Sequence, residues 1–148
     1  LSGPQTVLSV LNQSQALSAD TICAEDPNYE GVLDKRNAAA LGGGVVLVKY
    51  TGAGGKYDAN DAHAEYVGQI RNLFNSAGII WQVGELGKVD QGGGGTIAQY
   101  LANLGIETID CGLALLGVHS PFEVSSKADI YMAYKAYKAF WQQQSLDF

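Results

Sequence analysis

The sequence predicts an α/β domain with a mostly parallel central sheet flanked by helices, and three observations carry that prediction. Short apolar runs of strand length alternate with stretches whose apolar residues recur every three or four positions, and parallel neighbours need a crossover that is usually a helix. Glycine, 19 of 148 residues, is clustered at the joints between those stretches. The composition, 47% hydrophobic and 16% charged, suits one ordinary folded domain that builds its own core and excludes intrinsic disorder.

Taken in order, VLSVLNQS reads as the end of a helix, and ALSADTIC as a strand that runs out at Asp20 into the polar loop AEDPNYEGVLDKRN. Ligands bind at strand exits in open α/β sheets, which draws attention to Asp20. GGGVVLVKY, opened by Gly42–Gly44, has the branched apolar run of a strand covered on both faces. From Asn60 to Ala77, residues Tyr66, Val67, Ile70, Leu73, Phe74 and Ala77 predict an amphipathic helix. Asp58, Asn60 and Asp61 supply short acceptors at its start, and Gly78 a left-handed cap at its end. Ile79–Val83 predicts a strand, followed by a glycine-rich loop to Gly95 and a short helix on Ile97, Tyr100, Leu101 and Leu104, closed by Gly105. IETIDCG is the next strand, and CGLALLGV suits a buried one. The last helix carries Ile130, Ala133, Tyr134, Tyr137 and Phe140 on one face, with Tyr131 also assigned to packing, and Ser126 and Asp129 form a capping-box pair at its start.

Charge and composition remove several functions. Nine basic against fifteen acidic residues give a net charge of −6, which opposes the phosphate attraction behind nucleic-acid binding. No apolar run approaches the ~20 residues that span a bilayer, so a soluble protein with no membrane partner is expected. The start LSGPQTVLSV has neither a secretory pattern nor an initiator Met, so an upstream part is expected to have been removed or not supplied. Cys23 and Cys111 are too few for a disulfide framework and read as buried thiols in a reducing, cytoplasmic setting.

The chemistry-bearing candidates are few. His63, in DAHAE, reads as a surface helix residue; HAE matches the H-x-E of zinc deaminases, but no P-C-x-x-C follows to complete that metal set. His119 follows the apolar run LALLGV in a glycine-containing turn, where an imidazole can ligate a metal, move a proton or simply hydrogen-bond its loop. The loop GKVDQGGGGT invites phosphate or nucleotide binding at Gly92–Gly95, yet lacks the P-loop G-K-[ST] and the dinucleotide spacing. A side-chain-poor loop there does let a substrate backbone approach closely. Asp110, Glu85 and Asp90 read as solvated or turn-capping acids.

Together, LSADTICAEDPNY, VVLVKYTGAGGKYDANDAHAEYV, ELGKVDQGGGGTIAQYLA and GVHSPFEVSSKADIYMAYKAYKAF resemble, in order and across almost the whole chain, the motifs of the aspartyl aminopeptidase and aminopeptidase I family of dinuclear zinc exopeptidases. The resemblance implies zinc-dependent removal of N-terminal amino acids from peptides, with two zinc ions per complete active site. It implies Asp20 as the carboxylate ligand of one zinc and His119 as the histidine ligand of the other. Lys49 matches the family's pocket lysine, and Gly94, Gly95 and Thr96 its glycine–threonine turn beside the substrate. The family's other ligands, bridging aspartate and general-base glutamate belong to a region upstream of the matched motifs. Residues 1–148 are therefore expected to be the C-terminal portion of a catalytic domain, carrying no general base and inactive alone, from an enzyme that forms a large homo-oligomer. The competing expectations are a non-catalytic fragment or assembly module, and phosphate binding at the glycine loop.

Overall fold

The computed structural model describes residues 3–143 apart from 53, 55, 56, 58, 86, 89 and 90. Helix α1 (Pro4–Leu11), with proline in its first turn, leads into β1 (Gln15–Ser18). The predicted strand ALSADTIC is two strands: β2 (Ile22–Cys23) is separated from β1 by Ala19–Thr21, because β1 pairs with one sheet and β2 with another. A 3-10 turn (Pro27–Tyr29) begins the polar loop, after which β3 (Val45–Val48) is buried at all four positions, as its sequence predicts.

β4 (Tyr50–Thr51) and β5 (Asn60–Asp61) pair antiparallel, so Asn60 and Asp61 belong to a strand rather than to a helix start. Helix α2 (Ala64–Ser76) begins later than predicted, just after His63, with no side-chain cap. Cross-strand pairing, extended by Ala62 N–H donating to the Lys49 carbonyl at 2.9 Å, outweighs local capping preference. Asp58 lies outside the described residues. Gly78, at φ +60°, is the left-handed residue that the sequence predicts after the helix. There follow β6 (Trp81–Val83), α3 (Ala98–Ala102), β7 (Glu107–Gly112), β8 (Ala114–Leu116), β9 (Val124–Ser125) and α4 (Lys127–Gln142).

The main sheet runs β1-β7-β3-β6, parallel at β1/β7 and β3/β6 and antiparallel at β3/β7. Alternation along β3 sends Val45 and Leu47 to one face and Val46 and Val48 to the other. The first face packs with Ile109 and Cys111 against Tyr66, Ile70 and Phe74 of α2 and Ala133 and Ala136 of α4. The second meets Ile22, Ala24, Ala39 and Ala114, next to the small sheet β2-β8-β9. Two tyrosines tie helices to strands through their hydroxyls, Tyr66 to the Ala16 carbonyl at 2.9 Å and Tyr137 to the Cys111 carbonyl at 2.7 Å.

Two predicted helix faces are corrected. At α3 the buried residue is Ala98, while Ile97, Tyr100 and Leu104 face outwards. In α4 the buried stripe is Asp129, Ala133 and Ala136, with Tyr137 and Phe140 partly packed and Ile130, Tyr131 and Tyr134 exposed. Small residues let α4 lie close to the sheet, leaving Ile130, Tyr131 and Tyr134 outside the contact while Tyr137 and Phe140 pack at its edge. The capping box is half realised: Ser126 Oγ accepts the Asp129 N–H, but the Asp129 carboxylate accepts the N–H groups of Gly42 and Gly44, each at 2.8 Å.

Candidate functional site

A cleft of about 610 Å³ opens where β1 ends alongside Asp110 of β7. Ser18 and Asp110 are register partners there, and the chain leaves β1 through Asp20 before entering β2. Gly112 sets that exit: a Cβ on it would lie 1.6 Å from the Asp20 carbonyl oxygen, so only glycine admits the Asp20 backbone at this height. Asp20 Oδ1 accepts the Thr21 N–H at 2.8 Å, and the exposed carboxylate lines the cleft.

His119 lines the same cleft from the turn after β8. Its φ of +66° makes it the one non-glycine residue with positive φ among the described residues. That conformation costs an L-residue roughly 1–2 kcal/mol, and the surrounding turn holds it. His119 N–H donates to Glu123 Oε1 at 2.7 Å, Ser120 N–H to the Gly117 carbonyl at 2.9 Å, and Ser120 Oγ to the Phe122 carbonyl at 2.7 Å.

Gly92–Thr96 forms another wall. Gly52 N–H donates to the Gly94 carbonyl at 3.0 Å, which pins the loop to the chain just after β4. Thr96 Oγ1 donates to Asp110 Oδ2 at 2.9 Å and accepts the Ala98 N–H at 3.2 Å. Its hydroxyl proton is thereby committed inside the fold, so this wall presents its backbone to the cleft. Lys49 is not part of the lining; its neighbours Val48 and Tyr50 are, while its ammonium pairs with Asp61.

Asp110 lies on the cleft at only 2% exposure, against its reading as a solvated acid. Its Oδ1 has no hydrogen-bond partner among the described residues. Burial pushes its carboxyl above the usual range; the Ser18 and Thr96 hydroxyls oppose that shift, and the nearby Asp20 charge reinforces it. Glu85 is half-buried, and Asp90 lies outside the described residues. Cys111 is buried as expected, but Cys23 is half-buried and lines the cleft, its thiol pushed up by burial and then by Glu123. His63 immediately precedes α2 at the surface, with Nδ1 2.6 Å from Glu107 Oε1, and that hydrogen bond raises its pKa.

Sequence reasoning missed Asp110, Gly112 and Glu123. Only Gly112 carried a signal, as a glycine inside a strand pattern, which marks close backbone approach. The Asp20 carboxylate and the His119 imidazole fit zinc by donor chemistry. Among the described residues no three His, Cys, Asp or Glu side chains gather into a metal-holding group.

Sheet and cleft define an α/β protein with a strand-exit site offering one exposed carboxylate and one exposed imidazole. Residues 2–141 match the model of the aminopeptidase I zinc metalloprotease (M18) family, and the chain belongs to that family. It is 55% identical over 134 residues to a probable M18 family aminopeptidase 1 of Thermotoga maritima, matching 90% of this chain and 30% of that protein. The crystal structure of the M18 aminopeptidase from Thermotoga maritima superposes with a TM-score of 0.87, covering 91% of this chain and 30% of the other. That of aminopeptidase I from Clostridium acetobutylicum gives 0.83 at 53% identity, over 88% and 28%. The chain thus spans about 30% of the length of these relatives. No described helix is long and apolar enough to cross a membrane.

Proposed function

We propose that this chain supplies one part of the active site of a zinc-dependent aminopeptidase acting on the N-termini of peptides. The observation that carries the reading is that Asp20 and His119, far apart in sequence, line one cavity in a chain of this family. Asp20 would hold one zinc and His119 the other, the remaining ligands and the general base coming from outside these residues. A bound zinc pair supplies Lewis-acid polarisation of the scissile carbonyl and a hydroxide nucleophile at neutral pH. The chain's own contribution is positional: Gly94, Gly95 and Thr96 form a wall against which a peptide backbone can lie. Lys49 could reach substrate only by leaving Asp61, and its role is the least direct of the set. Homo-oligomeric assembly, a cytoplasmic setting, and the absence of nucleic-acid and membrane partners complete the proposal.

The test is zinc titration by calorimetry together with hydrolysis of aminoacyl-anilides, on the native-length protein and on the 148-residue chain. The native-length protein should bind zinc tightly and turn over, and Asp20→Asn and His119→Ala should each abolish turnover. The 148-residue chain should bind zinc weakly and not turn over, because a zinc site needs three or four ligands. Tight binding with turnover by the short chain would refute the division of the active site, and unchanged turnover in both variants would refute the ligand assignment. Native mass measurement tests the assembly.

A further inference from the structure

The turn after β8 holds its imidazole in a conformation that histidine avoids, and one side chain outside the cleft lining reaches back to it. Gly117 and His119 both have positive φ, +68° and +66°. Gly117 tolerates this without penalty; His119 does not, and its left-handed conformation persists only if its surroundings over-determine it. One side chain bonds the His119 peptide: Glu123, whose Oε1 accepts the His119 N–H at 2.7 Å. A carboxylate acceptor makes that bond charge-assisted, roughly twice as strong as a neutral one. The Ser120 N–H bond to the Gly117 carbonyl closes a tight turn around Val118 and His119 and holds the peptide on the far side of His119, and Ser120 and Phe122 bond to each other; on the near side, the His119 N–H itself is held by Glu123.

We propose that Glu123 is a positioning residue for the metal site: by gripping the His119 N–H it holds the left-handed conformation that turns the imidazole into the cleft. It acts through the backbone of the ligand and touches neither metal nor substrate. The inference rests on the reading of His119 as a zinc ligand, and the experiment separates the two.

Cobalt(II) affinity and the cobalt absorption spectrum are measured on the native-length apoprotein for wild type, Glu123→Ala, Glu123→Gln and His119→Ala, with circular dichroism to verify folding. Loss of a group that orients a metal-bound histidine costs roughly 10–100-fold in metal affinity. Glu123→Ala should therefore weaken cobalt binding at least about tenfold and alter the spectrum. Glu123→Gln keeps an oxygen acceptor without the charge and should recover part of the loss, which a merely charge-based or folding role would not give. If His119→Ala weakens binding while Glu123→Ala binds and absorbs like wild type, the positioning role is wrong and the ligand reading stands. If His119→Ala leaves affinity and spectrum unchanged, the ligand reading fails and takes this inference with it. Equal losses in Glu123→Gln and Glu123→Ala also overturn the proposal.

Discussion

Replacing Thr96 with valine preserves the side chain's shape and deletes its hydroxyl, so it isolates the bonds that hold the glycine wall to the cleft floor. Two interactions disappear: the donation to Asp110 Oδ2 at 2.9 Å and the acceptance of the Ala98 N–H at 3.2 Å. A hydrogen bond to a charged group contributes about 1.5–3 kcal/mol, and an acceptor at a helix start about 1 kcal/mol. The methyl that replaces the hydroxyl offsets part of this, at most about 0.8 kcal/mol because Thr96 is only half-buried. The net loss is about 2–3 kcal/mol, a fall in Tm of roughly 5–10 °C for a domain of this size. Thr96→Ser retains both bonds and should stay within about 1 kcal/mol of wild type.

The difference between wild type and Thr96→Val should also depend on pH, with a sign fixed by Asp110. Its carboxyl titrates above the ordinary value because of burial, so the native state holds the proton to higher pH than the unfolded chain, where the pKa is about 3.9. The stability associated with that proton is complete below the unfolded value and lost as pH rises through the native one. Once Asp110 is protonated, the Thr96 hydroxyl no longer serves a charge. The penalty of Thr96→Val should therefore shrink as pH falls and Asp110 takes up its proton. Thermal unfolding of the two variants across pH 3–8 measures it; a penalty that is absent at neutral pH, or that grows in acid, refutes the assignment of the hydroxyl proton to Asp110.

Asp129→Ala leaves the buried Gly44 N–H without a partner while Gly42, exposed, turns to water, so chemical denaturation should register a loss of about 2–3 kcal/mol. Gly112→Ala drives a Cβ to 1.6 Å from the Asp20 carbonyl; the strand exit must move, and calorimetry should find metal affinity reduced more severely than Tm. Phe74→Ala makes the opposite comparison. It removes a fully buried ring on the helix-covered face at about 3–5 kcal/mol but leaves metal affinity of the folded protein unchanged. Glu107→Gln removes the main cause of the raised His63 pKa. The stabilisation from that pair is present below about pH 6.5 and lost as pH rises through the raised native value. NMR titration should find the His63 pKa lowered in the variant and that segment of the stability profile flattened.

Legibility in the sequence followed the range of the interactions. β3 could be read directly because Val45–Val48 are apolar at every position, and Gly78 because a left-handed cap is a property of one residue. The break between β1 and β2 could not, since it depends on which distant strands, β7 and β8, each half pairs with. The same holds for Asn60 and Asp61, ordinary helix-start residues drawn into a strand by Tyr50 and Thr51. The face of α2 was legible from its periodicity, but those of α3 and α4 were only partly so: α4 meets the sheet largely through Ala133 and Ala136, so Ile130, Tyr131 and Tyr134 are left outside while Tyr137 and Phe140 pack at the edge. At the cleft, Asp20 was legible from its place at a strand exit and His119 from the turn after an apolar run. Asp110 was not, because its neighbours along the chain do not reveal that Ser18 and Thr96 close over it.

The cleft is assembled by pairwise constraints, three of which join segments distant along the chain, and this explains why most of its parts are so weakly marked locally. Asp20 is set by the missing side chain of Gly112, the Gly94 wall by the Gly52 N–H, Thr96 by Asp110, and His119 by a carboxylate four residues on. Three of these four constraints act on backbone rather than on the side chain that faces the cleft. Any residue type would feel them, so they leave no compositional trace at the position they control. The donor atoms themselves are exposed and lightly bonded, the state in which a carboxylate and an imidazole remain available to a ligand. Rigidity therefore belongs to the frame and availability to the tips, a division that lets the strand exits hold chemistry without having to satisfy it internally.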